Sequence, residues 1–155
     1  MTRTGERDAD SDPNDRKSAV SGTAARSSRF VLTKWYMDVV DEHLNVYIGY
    51  WLALTWRKLQ LHGYHHLVRT TRDGVTSRGG LRALPAPLWD GATQVRWGHD
   101  DASALWTAAA DPIAAALFKS ERGEIRWRCL MPKARGQFEL PRLSVRGWGY
   151  VERIE

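Results

Sequence analysis

The chain has 155 residues, which is enough for one domain of ordinary size and a tail. Its apolar fraction of 43% permits a normal hydrophobic core, and a net charge of +5 is only a weak indication of nucleic-acid binding. A single cysteine, Cys129, excludes an internal disulfide, and no apolar run reaches the roughly 18 residues of a membrane span. We therefore expect a cytoplasmic protein without a membrane span.

The N-terminal segment differs in composition from the rest of the chain. Residues 1–28 lack Leu, Ile, Phe, Tyr and Trp, and they carry five acidic and five basic side chains. Such a segment cannot bury enough apolar area to offset the entropy lost on ordering. We predict a disordered tail over 1–28 and a folded domain over 29–155.

From Phe30 onward, aromatic and β-branched residues predict β-strands joined by short turns. In NVYIGYWLALTW, apolar residues occupy every second position from Val46 to Trp56, which is the period of a strand. The intervening positions are also largely apolar. A strand that is apolar on both faces is typical of one whose second face lines a cavity or another layer.

The other segments continue this pattern. Strands are predicted in FVLTKWYMDVV, LHGYHHLVRTT, VTSRG, TQVRWGH, SALWTA, EIRWRCL, ARGQFEL and LSVRGWGYVERIE, and LRALPAPLWDGA is predicted as a loop or an edge. The segment ADPIAAALFKSERG has two interpretations: a short helix with Asp111 as its N-cap and Gly123 beyond its end, or an irregular strand. The sequence therefore predicts an all-β antiparallel meander that forms a barrel or a strongly curved sheet, with at most one short helix.

Three segments together resemble one protein family. They are KWYMDVVDEHLNVYIGYW (34–51), IRWRCLMPKA (125–134) and VRGWGYVERIE (145–155). They are similar to the lipocalin-like proteins grouped with carotenoid 1,2-hydratase (hydroxyneurosporene synthase). The resemblance implies a lipocalin-like β-barrel that binds a small lipophilic, isoprenoid-type molecule. It also implies hydration of a carbon–carbon double bond without a metal or organic cofactor.

The same resemblance implies which partners this chain binds. Members of the family usually contain two barrel-like halves, and this chain has the length of about one. The partners that the resemblance implies, besides a small apolar ligand, are therefore a second copy of the chain or a separate second half.

Two acidic residues lie within aromatic strand segments and are candidate catalytic acids, namely Asp38 and Glu152. An acid kept protonated by an apolar pocket can donate a proton to an alkene carbon, and aromatic faces can stabilise the resulting cation. The alternative is a structural role, in which Asp38 faces solvent or pairs with Lys34 and Glu152 is solvated. The residues expected to shape the ligand pocket are Tyr36, Trp51, His66, Trp148 and Tyr150.

The motif HGYHH places three histidines close together in the sequence. On a strand, His62 and His66 share a face but lie about 13 Å apart at about 3.3 Å per residue, and His65 points the other way. Because zinc ligands lie about 2 Å from the metal, no metal site is predicted. One of these histidines, His66 in our assignment, is expected to hydrogen-bond within the pocket or to act as a general base on water.

Two other functions remain compatible with the sequence. A basic β-barrel with exposed aromatic residues can bind single-stranded nucleic acid, through the basic residues of 57–72 and 126–135. A half-barrel can instead act as a structural module that pairs through its Trp-rich face. Lipophilic ligand binding accounts for the eight tryptophans and for the two-sided apolar strand, so it is the preferred hypothesis and nucleic acid is the less favoured partner. The sequence leaves open whether the protein is an enzyme.

Overall fold

The computed structural model describes residues 30–155, and within this range it contains ten β-strands and no helix. The strands are β1 (Phe30–Val40), β2 (Val46–Trp56), β3 (Leu59–Thr70), β4 (Gly74–Gly80), β5 (Leu88–Trp89), β6 (Gln94–His99), β7 (Ala102–Ala108), β8 (Ile113–Ser120), β9 (Gly123–Leu140) and β10 (Leu143–Ile154). The predicted all-β class is confirmed. The tail predicted over 1–28 lies outside the described residues.

All strands belong to one antiparallel sheet with the order β4-β3-β2-β1-β10-β9-β7-β6-β5, and β8 pairs with β9. The first strand therefore lies beside the last one, and successive hairpins continue from β1 to the edge at β4. The two ends of this order, β4 and β5, are not hydrogen-bonded to each other. Of the two predicted forms, the sheet adopts the strongly curved one and does not close into a barrel.

The curvature brings distant parts of the inner face into contact. The ring of Tyr47 on β2 stacks on Phe138 of β9 with 3.7 Å between centroids. A Cβ atom added to Gly49 would lie 2.9 Å from the ring of Trp97 on β6. The core on this face contains Trp35, Met37, Val39, Tyr47, Trp51, Val68, Val95, Trp97, Trp106, Leu130, Met131, Phe138, Val145 and Val151. Large side chains therefore fill the space that a ligand would occupy in an open barrel.

The glycines of β10 permit a close approach to β1. A Cβ atom at Gly149 would overlap the backbone carbonyl oxygen of Asp38. The indole Nε1–H of Trp106 donates a hydrogen bond of 2.7 Å to that same oxygen. The missing side chain thus lets a core tryptophan reach the backbone of the strand that carries the candidate acid.

Two predicted elements differ from the structure. The segment ADPIAAALFKSERG forms strand β8, so the helix that begins at Asp111 is wrong and the strand alternative is correct. Pairing with β9 supplies the backbone hydrogen bonds of β8, and this tertiary pairing overrides the helix propensity of the alanines in β8.

The segments EIRWRCL and ARGQFEL join into the single strand β9, which changes partner from β8 to β7 near Pro132. Proline has no N–H to donate, and its strand is irregular there in the pairing with β10.

Candidate functional site

The candidate site lies on the outer face of the sheet, which is the face turned away from the core. Six neighbouring strands each contribute one residue to a directly paired row, here named the outer row: Cys129, Glu152, Tyr36, Tyr50, His65 and Gly79. Asp38 and Tyr150 are opposite each other in the adjacent row. The pairing of β1 with β10 therefore brings together two segments that are more than a hundred residues apart in sequence.

Asp38 is half-buried on this face, and its partner is a tyrosine rather than Lys34. The Tyr36 hydroxyl donates a hydrogen bond of 3.0 Å to Asp38 Oδ2. Burial raises the pKa of the Asp38 carboxyl above its ordinary value, and the charge of Glu152 adds to the rise. Hydrogen bonds from Tyr36 and from the Tyr150 backbone N–H oppose it, but the net pKa shift is upward.

Glu152 is the second acid of the site and is held by two donors. The Tyr150 hydroxyl and the Trp127 indole Nε1–H each donate a hydrogen bond of 2.7 Å to Glu152 Oε2. Burial, the hydrogen bond to Glu152 and the nearby Cys129 thiol raise the pKa of the Tyr150 phenol, so this hydroxyl remains a donor. The side chain of Glu152 is thus held by two side-chain donors, whereas Asp38 has one.

Aromatic rings connect the acids to a shallow groove. Tyr36 makes edge contacts with Tyr50 at 5.1 Å and with Tyr150 at 6.0 Å between ring centroids. Lys34 lies over the Tyr50 ring at 5.2 Å. Beyond Tyr50 a groove of about 440 Å³ is lined by Tyr50, Leu52, Gly63, Tyr64, His65, Gly79, Gly80 and Leu81. The absence of side chains at the glycines opens this part of the outer face.

The structure separates the residues that the sequence assigned to a single pocket. Tyr36, Trp148 and Tyr150 lie on the outer face with both acids. Trp51 and His66 lie on the inner face and are buried in or against the core. The Trp51 Nε1–H donates to the Leu84 carbonyl oxygen at 3.1 Å, so its polar atom is already satisfied within the fold. The structure therefore does not bring Trp51 and His66 together with Asp38, because strand alternation places them on opposite faces.

A second polar cluster, which sequence reasoning missed, starts at His66. The Tyr47 hydroxyl and His66 Nδ1 share a hydrogen bond of 2.7 Å, and His66 Nε2 hydrogen-bonds to His99 Nε2. His99 Nδ1 in turn faces the Asp100 carboxylate at 3.5 Å. Burial, followed by the nearby His99, lowers the pKa of His66 to about 4. Burial also lowers the pKa of His99. Both imidazoles are therefore neutral near pH 7, and hydrogen bonds join Tyr47, His66 and His99.

The sequence contains a local signal for only one part of this cluster. His99 alternates with Trp97 in the segment QVRWGH, which indicates that both face inward, but only long-range strand pairing shows that His66 is its neighbour. Its neighbour His66 is 33 residues earlier, on β3. Within residues 30–155, no three side chains of His, Cys, Asp or Glu are arranged to hold a metal ion.

Comparison of the chain with protein-family models, with curated proteins and with solved structures found no match. The resemblance to the carotenoid 1,2-hydratase group therefore stays a prediction. In the described part of the chain there is no helix whose length and hydropathy would allow it to cross a membrane.

Proposed function

We propose that the outer face binds a small lipophilic molecule next to Asp38. The observation that carries this proposal is a carboxyl group with a raised pKa that is hydrogen-bonded to Tyr36, whose ring contacts Tyr50 at the border of an open apolar groove. A ligand that lies in the groove would contact Tyr50 first and reach Asp38 through Tyr36. Such an arrangement favours an apolar ligand over a strongly charged one, because most of the groove lining is aliphatic, aromatic or glycine.

The chemistry that fits this arrangement is proton transfer to carbon, as in a hydratase or an isomerase. Protonated Asp38 donates its proton to one carbon of a double bond, and the neighbouring tyrosine rings stabilise the cation on the other carbon. In hydration, water adds to that carbon and a proton returns to the Asp38 carboxylate. In isomerisation, the same carboxylate removes a proton from an adjacent carbon. Either cycle restores the acid and requires no cofactor.

The Asp38→Asn variant tests the catalytic part of this proposal. Asparagine can still accept the Tyr36 hydrogen bond but cannot donate a proton of comparable acidity, so we expect turnover of a bound isoprenoid alkene to fall at least 100-fold with ligand affinity and fold retained. Product analysis by mass spectrometry and circular dichroism melting measure the two quantities. Glu42→Gln, at an exposed position of the β1–β2 turn, is the matched control. Equal turnover in wild type and Asp38→Asn would remove Asp38 from the mechanism.

Ligand binding itself is tested by tryptophan fluorescence during titration with a long-chain isoprenoid, a fatty acid and single-stranded DNA. We expect saturable quenching by the apolar ligands that is insensitive to salt. We also expect it to weaken about tenfold in Tyr50→Ala, since this change removes the ring between the groove and Tyr36. A response to DNA alone, fading as salt rises, would support the nucleic-acid alternative instead.

A second candidate function, self-association, is favoured by the two-stranded ribbon of residues 113–126. All residues of β8 are exposed, and the apolar side chains Ile113, Leu117, Phe118 and Ile125 are 45–59% exposed. A ribbon of this kind can pair with the same ribbon of a second copy. We expect Phe118→Ser to shift a dimer toward monomer in sedimentation velocity, with Lys119→Ser as the control. A wild-type protein that is monomeric at high concentration would exclude this function.

A further inference from the structure

An exposed tryptophan with two basic side chains over its ring lies on the same outer face. Trp148 is 41% exposed on β10, and it is paired directly with Arg135 of β9. The Arg135 guanidinium carbon lies 3.8 Å from the indole centroid, and Lys133 Nζ lies 4.4 Å from it. Both cations are exposed, and the ring fixes them in one small area.

Among the described residues, the other arginines of β9 and β10 are paired with carboxylates, whereas these two cations are not. Arg126 pairs with Glu124, Arg128 and Arg153 with Glu155, and Arg146 with Glu139. Neither Arg135 nor Lys133 has a carboxylate within 4 Å in this part of the chain. A cation–π contact uses the face of a guanidinium and leaves its N–H edge free, and that edge fits a carboxylate or phosphate bidentately. The two positive charges also repel each other, and an anion between them would relieve this repulsion.

The cation pair lies on the same face of the sheet as the groove described above. Trp148 precedes Tyr150 by two residues on the same face of β10, and the path to the groove crosses β1 and β2. The path passes Asp38, and the side chains beside it are otherwise apolar or aromatic and half-buried or exposed, namely Val40, Ile48, Leu67 and Tyr50. With strands about 4.8 Å apart and a rise of about 3.3 Å per residue, the distance from Trp148 to the groove is roughly 20 Å. A long molecule with an anionic group at one end would span it.

We propose that Lys133, Arg135 and Trp148 form the head-group site for an anionic amphiphile whose apolar tail lies across the outer face into the groove. This inference rests on the proposed function, and it names the ligand class: a long-chain molecule with a terminal carboxylate or phosphate. Asp38 lies beside the tail rather than at the head, and Glu152 lies further along β10 opposite Tyr36, so an anionic head group bound at the cations is separated from both acids.

The test compares ligands that differ only in the head group. Farnesyl phosphate and farnesol, and palmitate and hexadecanol, are titrated into the full-length wild-type protein and into the double variant Lys133→Gln/Arg135→Gln. Arg146→Gln, which removes an exposed arginine already paired with Glu139, is the matched control. We expect the double variant to bind the anionic ligands at least tenfold more weakly, with the neutral ligands and the control unchanged.

The outcomes separate the two proposals. If farnesyl phosphate and farnesol bind equally well and the double variant alters neither, the head-group site is wrong while the ligand-binding function stands. If none of the four ligands binds the wild-type protein, the proposed function fails and the head-group site fails with it. Inorganic phosphate that binds as tightly as farnesyl phosphate would show that no tail is recognised. Single-stranded DNA that competes with farnesyl phosphate would assign the cations to nucleic acid.

Discussion

Asp38 and His66 are both half-buried or buried polar residues, and burial favours the neutral form of each. Burial raises the pKa of the Asp38 carboxyl, and the charge of Glu152 adds to the rise. His66 lies beside a second imidazole, and burial likewise favours its neutral form. A neutral carboxyl can donate a proton, whereas a neutral imidazole can only accept one or transfer it. The outer face therefore contains the candidate proton donor, and the core contains a chain suited to structural hydrogen bonding.

The lowered pKa of His66 predicts a pH dependence of stability. The pKa is about 4 in the fold and 6.5 in the unfolded chain. Above pH 6.5 both states are neutral. As the pH falls from 6.5 toward 4, only the unfolded chain gains a proton, and about 3 kcal/mol of stability is lost. Besides burial, the charges of His99, His65 and Arg78 lower the pKa of His66, whereas the charge of Asp100 raises it.

Urea denaturation at pH 7, 5.5 and 4 measures this loss. We expect the free energy of unfolding of His66→Gln to change less than that of the wild type over this window. Acids with lowered pKa values, such as Asp41 and Asp90, also contribute to the free energy of unfolding, but this contribution is lost at lower pH. They therefore do not account for a decrease in the free energy of unfolding above pH 5. Parallel curves for the two proteins would show that the pKa of His66 is the same in the folded and unfolded chain.

Gly149 provides a second prediction for a single residue. Alanine there would overlap the Asp38 carbonyl oxygen and press on Trp106, so we expect Gly149→Ala to destabilise the fold by about 2 kcal/mol. Gly123→Ala is the control, since an added Cβ meets no atom within 4 Å at that position. Thermal unfolding of the two variants distinguishes them. Similar melting temperatures would mean that β10 can move away from β1 without loss.

At the scale of elements, β9 contains two regions with different surroundings. Its C-terminal half pairs with β10 on one side and β7 on the other, and its inward side chains Ala134 and Phe138 are buried. Its N-terminal end belongs to the exposed ribbon with β8. One strand thus serves both as a central core strand and as half of a projecting hairpin.

Hydrogen exchange should detect this difference. We expect amides of 113–126 to exchange at least 100-fold faster than those of 134–139, because a two-stranded ribbon without a core is only marginally stable. Exchange measured by mass spectrometry with peptides that cover both regions gives the ratio. Comparable protection in both regions would mean that a second copy of the chain covers the ribbon, as the self-association function requires. In that case, dilution of the protein would restore fast exchange in 113–126.

The elements also show how far local patterns predict this fold. The period of two in 46–56 and the turn residues between segments correctly indicate β2 and its neighbours. The alanine-rich segment around 113–120 does not reveal its state locally, because its hydrogen-bond partner is provided by β9. The division of β9 into two predicted strands has the same cause, since Pro132 interrupts the local pattern while pairing with other strands continues on both sides.

For the whole molecule, the decisive property is that the sheet has two different faces. The inner face is filled by stacked aromatic residues, and the outer face carries the acids, the tyrosines and the groove. The expected ligand pocket inside a barrel is therefore replaced by a candidate site on the outside. The tryptophans divide accordingly: Trp106 is fully buried in the core, whereas Trp148 is exposed next to basic side chains.

The amino-acid sequence alone determined the all-β class, the position of most strands and the fact that Tyr36 shares a face with Asp38, because alternation and turn chemistry are local properties. Tertiary structure decided the rest. The pairing of β1 with β10 brought Glu152 opposite Tyr36, and the curvature of the sheet enclosed His66 with His99. These contacts depend on which strands are neighbours and on how strongly the sheet bends. Both are set by the packing of the whole core, and no short segment contains that information.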